Sequence, residues 1–244
     1  MIGPFPPPIH GMSLANKVLL EHLKKGNSVF FLDTNTEKDL GNLNQHGKMS
    51  LKKAFISTFQ IFKGIFKTIF SKRFDIVYIT PAQSTNGYIK YIPFMWVAKL
   101  KKIPYVIHIH GGYFRVTYDQ TDGWRRKIIG NSLDNLSGAI VLGNSLKYMF
   151  EGLIPEKKIF VCENGVEDEI FATKEEIDRK IERFRNDNTI RIVYLSNLMR
   201  EKGILDLMET VSILKDKGKN VHLDVAGAIE PVVKNDIERY LKEF

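Results

Sequence analysis

At 244 residues the chain has room for one large domain or two small ones, and its 43% hydrophobic and 26% charged residues are those of an ordinary soluble globular protein. The net charge of +8, from 36 basic against 28 acidic side chains, favours anionic partners such as nucleotides, acidic lipids or nucleic acid without choosing among them. One cysteine, Cys162, excludes an internal disulfide and fits a reducing cytosol. No stretch approaches the roughly 20 apolar residues of a membrane span, and no signal peptide is expected from the Pro-rich start.

In chain order, only Met1 and Ile2 are left for a first strand before the loop Gly3 to Met12. The prolines Pro6, Pro7 and Pro8 fix the backbone and remove donors, so this loop is neither helix nor inner strand. Gly11 allows close backbone approach just before a helix expected from Ser13 over 13–23. The loop therefore either brings amides against a phosphate or is a rigid surface turn. Strands are expected at 29–32, 76–79, 105–109, 139–142 and 159–162, because these apolar runs are continuous rather than alternating, as in parallel strands buried on both faces. Cys162 falls in the last of these runs and reads as core. Helical patterns at 13–23, 51–70, 88–101, 124–133 and 145–152 lie between them, and that alternation predicts a doubly wound α/β lobe over 1–166.

A charged, apolar-poor stretch at 167–188 reads as an interdomain connection, partly helical. A second lobe follows over 189–244, with a strand at 190–195, a helix at 204–217, a strand at 221–225 and a last helix at 232–241. Two strands and two helices bury too little for a domain, so both ends of the chain are expected to be clipped. The alternative is a complete small protein whose last segment packs on the first lobe.

Four sites along these elements carry chemistry. His108 and His110 share one face of a strand that runs into Gly111 and Gly112. His110, at the carboxyl end, is placed to bond a sugar or accept a proton, with a satisfied core histidine as the alternative; His108, one pleat deeper, reads as core. No further Cys, His or carboxylate spacing supports a metal. Glu163-Asn164-Gly165 follows another strand, and is first a turn signal, with Asn164 able to read a ligand hydroxyl. The run from Ile190 through Lys202 to Gly203 is a strand, a polar turn and a helix start, an arrangement that binds anions through free amides and the helix dipole, with Lys202 adding a full charge. Two lobes of this kind would face a cleft, where ligands usually sit. Residues 51–73 form an amphipathic pattern with Phe55, Phe59, Phe62, Phe66 and Ile69 on one side and Lys52, Lys63 and Lys67 on the other. That suits an anionic membrane surface, or an ordinary lobe helix with a solvated lysine face. No groove-reading helix or stacking platform supports nucleic acid.

Taken together, Pro6 to Ser13, His110-Gly111-Gly112, Glu163-Asn164-Gly165-Val166 and Glu201-Lys202-Gly203 resemble, in order and spacing, the motifs of family-4 glycosyltransferases of the GT-B fold, over nearly the whole chain. The fold class this implies is α/β, GT-B-like, with two Rossmann-like doubly wound lobes, the second incomplete. The activity implied is retaining transfer of a sugar from a nucleotide-sugar donor to a saccharide or lipid-linked acceptor held mainly by the first lobe, with no metal and no other cofactor. By the resemblance, Gly11 meets the donor diphosphate, His110 lies near the transferred sugar and acceptor, Lys202 binds the diphosphate, and Asn164 joins the donor set. Many members carry an arginine five residues before the lysine. Asn197 stands there instead, which puts one phosphate contact in doubt, with Arg200 as its substitute. The family's paired glutamates would lie beyond Phe244, so residues 1–244 alone are expected to be inactive. The resemblance to enzymes building surface polysaccharide on a lipid carrier implies a cytoplasmic protein, peripheral at the inner face of the membrane through 51–73. A nicotinamide oxidoreductase is disfavoured because the glycines do not fall as Gly-x-Gly-x-x-Gly. A non-hydrolysing sugar-nucleotide epimerase of the same architecture and a non-catalytic binding half-enzyme remain the alternatives.

Overall fold

The computed structural model describes residues 1–7, 9–35, 74–165 and 170–243. The amphipathic pattern at 51–73 lies outside the described residues. The chain divides into two compact units, the first closing at Gly165.

In the first unit the strands are β1 (Ile2–Gly3), β2 (Leu32–Asp33), β3 (Val77–Ile79), β4 (Tyr105–Ile109), β5 (Gly138–Val141) and β6 (Ile159–Val161). They form one parallel sheet in the order β2-β1-β3-β4-β5-β6. The helices are α1 (Gly11–Leu23), α2 (Thr85–Ile89), α3 (Ile92–Leu100), α4 (Phe114–Gln120) and α5 (Gly123–Leu133). Ile2, Ile79, Ile107, Ala139 and Ile159 stand in register on one face of the sheet and are buried against Met95 of α3 and Ile129 and Leu133 of α5. Each of the isoleucines contributes roughly 1.5–3 kcal/mol by leaving water. On the other face α1 lies so close that a Cβ at Gly3 would overlap Thr80 Oγ1 and the Asn16 amide. Asn16, buried, donates to the Pro4 carbonyl at 2.9 Å and to Thr80 Oγ1 at 2.7 Å, which ties helix to sheet.

Several elements differ from the pattern read in the sequence. The helix expected at 88–101 is two, because Pro93, in the first turn of α3, has no amide to continue the turn before it. The helix expected at 145–152 is a 3-10 turn, Asn144–Phe150. Helix α4 was not expected, since its β-branched and aromatic residues follow a Gly-Gly pair; it is held by Phe114, whose ring meets those of Tyr88 and Phe150 at 5.2 and 5.0 Å. The run 29–32 gives a strand only from Leu32. Cys162 is exposed, not core, because β6 is the sheet edge and ends at Val161.

The second unit begins with α6 (Lys174–Phe184), inside the stretch read as a connection. Its Thr173 and Glu176 form a capping box, with 3.3 Å from the Glu176 amide to Thr173 Oγ1 and 2.8 Å back from the Thr173 amide to the carboxylate. Two parallel strands follow, β7 (Ile190–Leu195) and β8 (Val221–Ala226), with helices α7 (Ile204–Asp216) and α8 (Lys234–Glu243). A small core of Leu198, Ile204, Met208, Val233 and Ile237 joins the helices to the turns beside them. Among the described residues no helix is long and apolar enough to cross a membrane.

Candidate functional site

In the first unit the strand order reverses direction between β1 and β3, and in open parallel sheets ligands bind outside the carboxyl ends of the strands at such a switch point. Gly11, His110 and Asn164 all lie beyond those ends, after β1, β4 and β6 respectively. Successive strands are about 4.8 Å apart, so β1 and β4, and β4 and β6, are each separated by about 10 Å along one edge. The structure thus gathers three of the sequence-derived residues on one rim without direct contact between them.

The helix after β1 starts at Gly11, earlier than the sequence reading placed it. The cap is His10 rather than Ser13: His10 Nδ1 accepts the Ser13 amide at 3.3 Å, and Ser13 Oγ accepts the His10 amide at 3.0 Å. Accepting that bond requires a neutral ring, and burial holds the His10 pKa below its ordinary 6.5. A Cβ at Gly11 would meet nothing within 4 Å, so no protein atom demands glycine there. The amides of Gly11 and Met12 have no intrahelical partner, as at any helix start.

His110 follows the last residue of β4. Its ring lies 4.0 Å from that of His108, at 32°. His108 is buried, as the sequence implied, and its Nδ1 sits 2.5 Å from the Tyr78 hydroxyl. Burial, together with the neighbouring His110, pushes the His108 pKa down to about 3, and burial lowers that of His110. Both rings are therefore neutral at ordinary pH. Among the described residues Nε2 of each is buried without a hydrogen-bond partner. The loop after His110 is clamped from outside: Gln83 donates to the His110 carbonyl at 3.3 Å and accepts the Tyr113 amide at 2.6 Å, while the Tyr148 hydroxyl donates to the Gly112 carbonyl at 2.9 Å. Tyr78 and Gln83 were not read from the sequence. Tyr78 was findable only through strand register, and Gln83 carries no local signal. Asn164 is exposed beyond β6, with Cys162 anchored before it through its amide to the Val141 carbonyl at 2.9 Å.

In the second unit Asn197 and Lys202 belong to one turn at the carboxyl end of β7. The Tyr194 hydroxyl reaches both of their carbonyls, at 3.2 and 3.3 Å. Lys202 closes a 3-10 turn, Arg200–Lys202, and its side chain is exposed. Gly203 then caps α7 at φ +73°, where a Cβ would be strained, and no side chain caps the helix. Free amides and an ammonium group therefore stand at one helix start, the arrangement that holds phosphate. Asp206 in the first turn of α7 opposes an anion. Arg200, the substitute contact suggested by the sequence, is paired with Asp236 at 3.6 Å. Among the described residues no three His, Cys, Asp or Glu side chains gather as metal ligands would.

No family model matches the sequence. Over 109 residues the chain is 32% identical to the capsular polysaccharide biosynthesis glycosyltransferase CapM of Staphylococcus aureus, a match covering 42% of this chain and 28% of that protein. Among solved structures it resembles Anabaena Alr3699/HepE in complex with UDP and glucose (TM-score 0.54, 15% identity, 99% of this chain and 57% of that one). It also resembles the S. aureus MnaA–UDP co-structure (TM-score 0.56, 11% identity, 100% and 66%). The match spans less than a third of the curated relative, and the chain covers under two thirds of each of these solved structures. At such identities the structural likeness shows the fold alone. That fold is α/β and GT-B-like, with a six-stranded parallel sheet flanked by helices, as the sequence implied.

Proposed function

We propose that the protein is a glycosyltransferase of surface-polysaccharide biosynthesis, moving a sugar from a nucleotide-sugar donor to a saccharide or lipid-linked acceptor with retention at the anomeric carbon. The observation that carries this is the turn after β7, where Lys202, Gly203 and the uncapped start of α7 offer charge and free amides to a diphosphate. The similarity to CapM supports transfer over other chemistries, and HepE and MnaA, which share the fold, were solved with UDP.

In this reading the bond from the sugar to the diphosphate breaks, negative charge grows on the departing phosphate, and Lys202 with the α7 amides stabilises it where it develops; one such donor is worth roughly 3 kcal/mol. The Gly11 amide at the start of α1 is a further diphosphate donor. The neutral imidazole of His110 bonds the acceptor hydroxyl or the transferred sugar, and Asn164 a donor hydroxyl. Asn197 takes the arginine's position in the turn but supplies no charge, which leaves Lys202 as the cation there. The acceptor hydroxyl loses its proton to the departing phosphate on the same face, with no metal and no covalent enzyme intermediate. A lipid-linked acceptor places the enzyme on the cytoplasmic face of the membrane, with 51–73 as the contacting segment.

Calorimetric titration of UDP, ADP and GDP into the chain and into Lys202→Ala tests the donor site. One diphosphate should bind, and the variant should weaken it on the order of a hundredfold. No binding by any of the three, or equal binding by the variant, would remove the proposal. A nucleotide-sugar epimerase shares the architecture. Product analysis with and without acceptor separates the two, since transfer needs an acceptor and epimerisation does not.

A further inference from the structure

Tyr78, His108 and His110 fall on one face of the first unit's sheet. Tyr78 pairs with Val106 in the β3–β4 register, and side chains alternate with period two, so His108 and His110 follow Val106 on the same side. The three rings form a short stack. The Tyr78 ring stands edge-on to His108, at 6.0 Å and 87°, with its hydroxyl on Nδ1, and the His108 ring overlies that of His110. We propose that Tyr78 and His108 are positioning residues for His110, a buried hydroxyl–imidazole pair that fixes the plane of the ring offered to the ligand. This rests on the reading of His110 as the ligand-facing residue.

Two observations separate this from ordinary core packing. A satisfied core histidine has partners on both nitrogens, whereas Nε2 of His108 and of His110 are each buried and, among the described residues, unpartnered. An unmet buried polar atom is costly, and such atoms in native structures call for a functional explanation. Second, the charge state is matched to a passive role. Burial raises the Tyr78 pKa, so the hydroxyl keeps its proton, and His108 stays neutral, so it sets no cation beside His110. The Tyr78 hydroxyl bonds one nitrogen of His108 and holds the plane of that ring. The ring so fixed shields one face of His110 and limits its rotation.

The test is the ring-nitrogen spectrum of the 15N-histidine-labelled chain, compared for wild type, Tyr78→Phe and His108→Phe. Wild type should show both rings neutral. Tyr78→Phe keeps the aromatic volume and loses only the hydroxyl. It should move the nitrogen shifts of His108 and of His110, with the thermal midpoint nearly unchanged. His108→Phe keeps a ring over His110 and should move the same His110 shifts, giving a second reading if the first variant folds poorly. In a transfer assay of the full-length protein Tyr78→Phe should lower kcat on the order of tenfold with donor KM unchanged, because misplacement rather than lost binding is the defect. Unchanged His110 nitrogens in both variants would overturn the proposal. Moved nitrogens, together with no sugar transfer by the full-length protein that carries the segment expected beyond Phe244, would uphold the positioning pair and reject the transferase reading instead.

Discussion

The two strand–turn–helix junctions, one in each unit, solve the same local problem in opposite ways. Helices α1 and α7 both have 13 residues and both follow a parallel strand. At α1 the protein satisfies itself: neutral His10 takes the Ser13 amide, the capping box is closed, and the first turn holds no acid. At α7, among the described residues, no side chain caps the helix; Gly203 holds the cap position at a left-handed φ of +73°, and Lys202 stands exposed just before it. A junction without a side-chain cap leaves its amides open to an anion, and at α7, unlike the equally uncapped starts of α2 to α5, an exposed lysine stands immediately before them, whereas one already capped offers only the amides of its first residues. The comparison ranks the candidate anion contacts, with α7 as the principal site and α1 as the secondary one.

The largest expected effect follows from that ranking. In the proposed transfer by the full-length protein, Lys202→Ala should lower the rate on the order of a hundredfold or more, while the thermal midpoint stays put because the side chain is exposed. Gly11→Ala, at the other junction, should cost much less activity. Equal losses would break the ranking.

Next in size is stability, where the two glycines should respond with opposite signs. Gly203→Ala forces a Cβ into the left-handed region and should destabilise the second unit by about 1–2 kcal/mol. Gly11 sits at the first helical position with open space around its Cα, so Gly11→Ala should stabilise α1 by up to about 1 kcal/mol. Urea unfolding of each variant measures both.

A third contrast is in pH. The α1 cap works only with His10 unprotonated, and burial holds that pKa below 6.5 in the fold. As pH falls, the unfolded chain takes up this proton first. The cap's contribution is therefore complete above about 6.5 and lost as pH drops through the folded value. Its size is about 1 kcal/mol. His10→Asn caps without titrating, so the difference between wild type and variant in urea midpoints at pH 7.5 and 5.5 isolates it; an identical pH dependence would remove His10 from the account. No matching acid sensitivity is expected from the α7 start, which has no histidine.

The sequence made legible those features that depend on local pattern. Strand β4 falls where the apolar run places it, because a parallel strand covered on both faces admits no polar alternation; β7 falls on its apolar run as well, although Val193 and Leu195 are exposed. The candidate residues were legible for the same reason: a turn after such a strand lies on the carboxyl rim. What stayed hidden depends on partners distant in the chain. Ser13 reads as a cap, yet the imidazole three residues earlier takes that role, and only coordinates show Nδ1 in reach. Cys162 reads as core, but edge position is a property of sheet order. The Tyr78–His108 bond needs the β3–β4 register, and the Gln83 clamp joins two loops 27 residues apart.

The smallest effect sharpens the comparison most, because it concerns the one feature of the α7 junction that opposes its proposed role. Asp206 lies in the first turn of α7, where its charge complements the helix dipole in the free protein and repels a diphosphate in the bound one. Asp206→Asn keeps the side-chain shape and removes the charge. Nucleoside diphosphate affinity should rise roughly two- to fivefold, with a slight fall in the stability of the second unit. Both changes should shrink as ionic strength rises, since the residue is exposed. A gain in affinity with a loss in stability marks the α7 start as the place where the anion sits. A variant that loses stability and leaves affinity unchanged would show that the diphosphate binds elsewhere, and would make the capped junction at α1 the principal one.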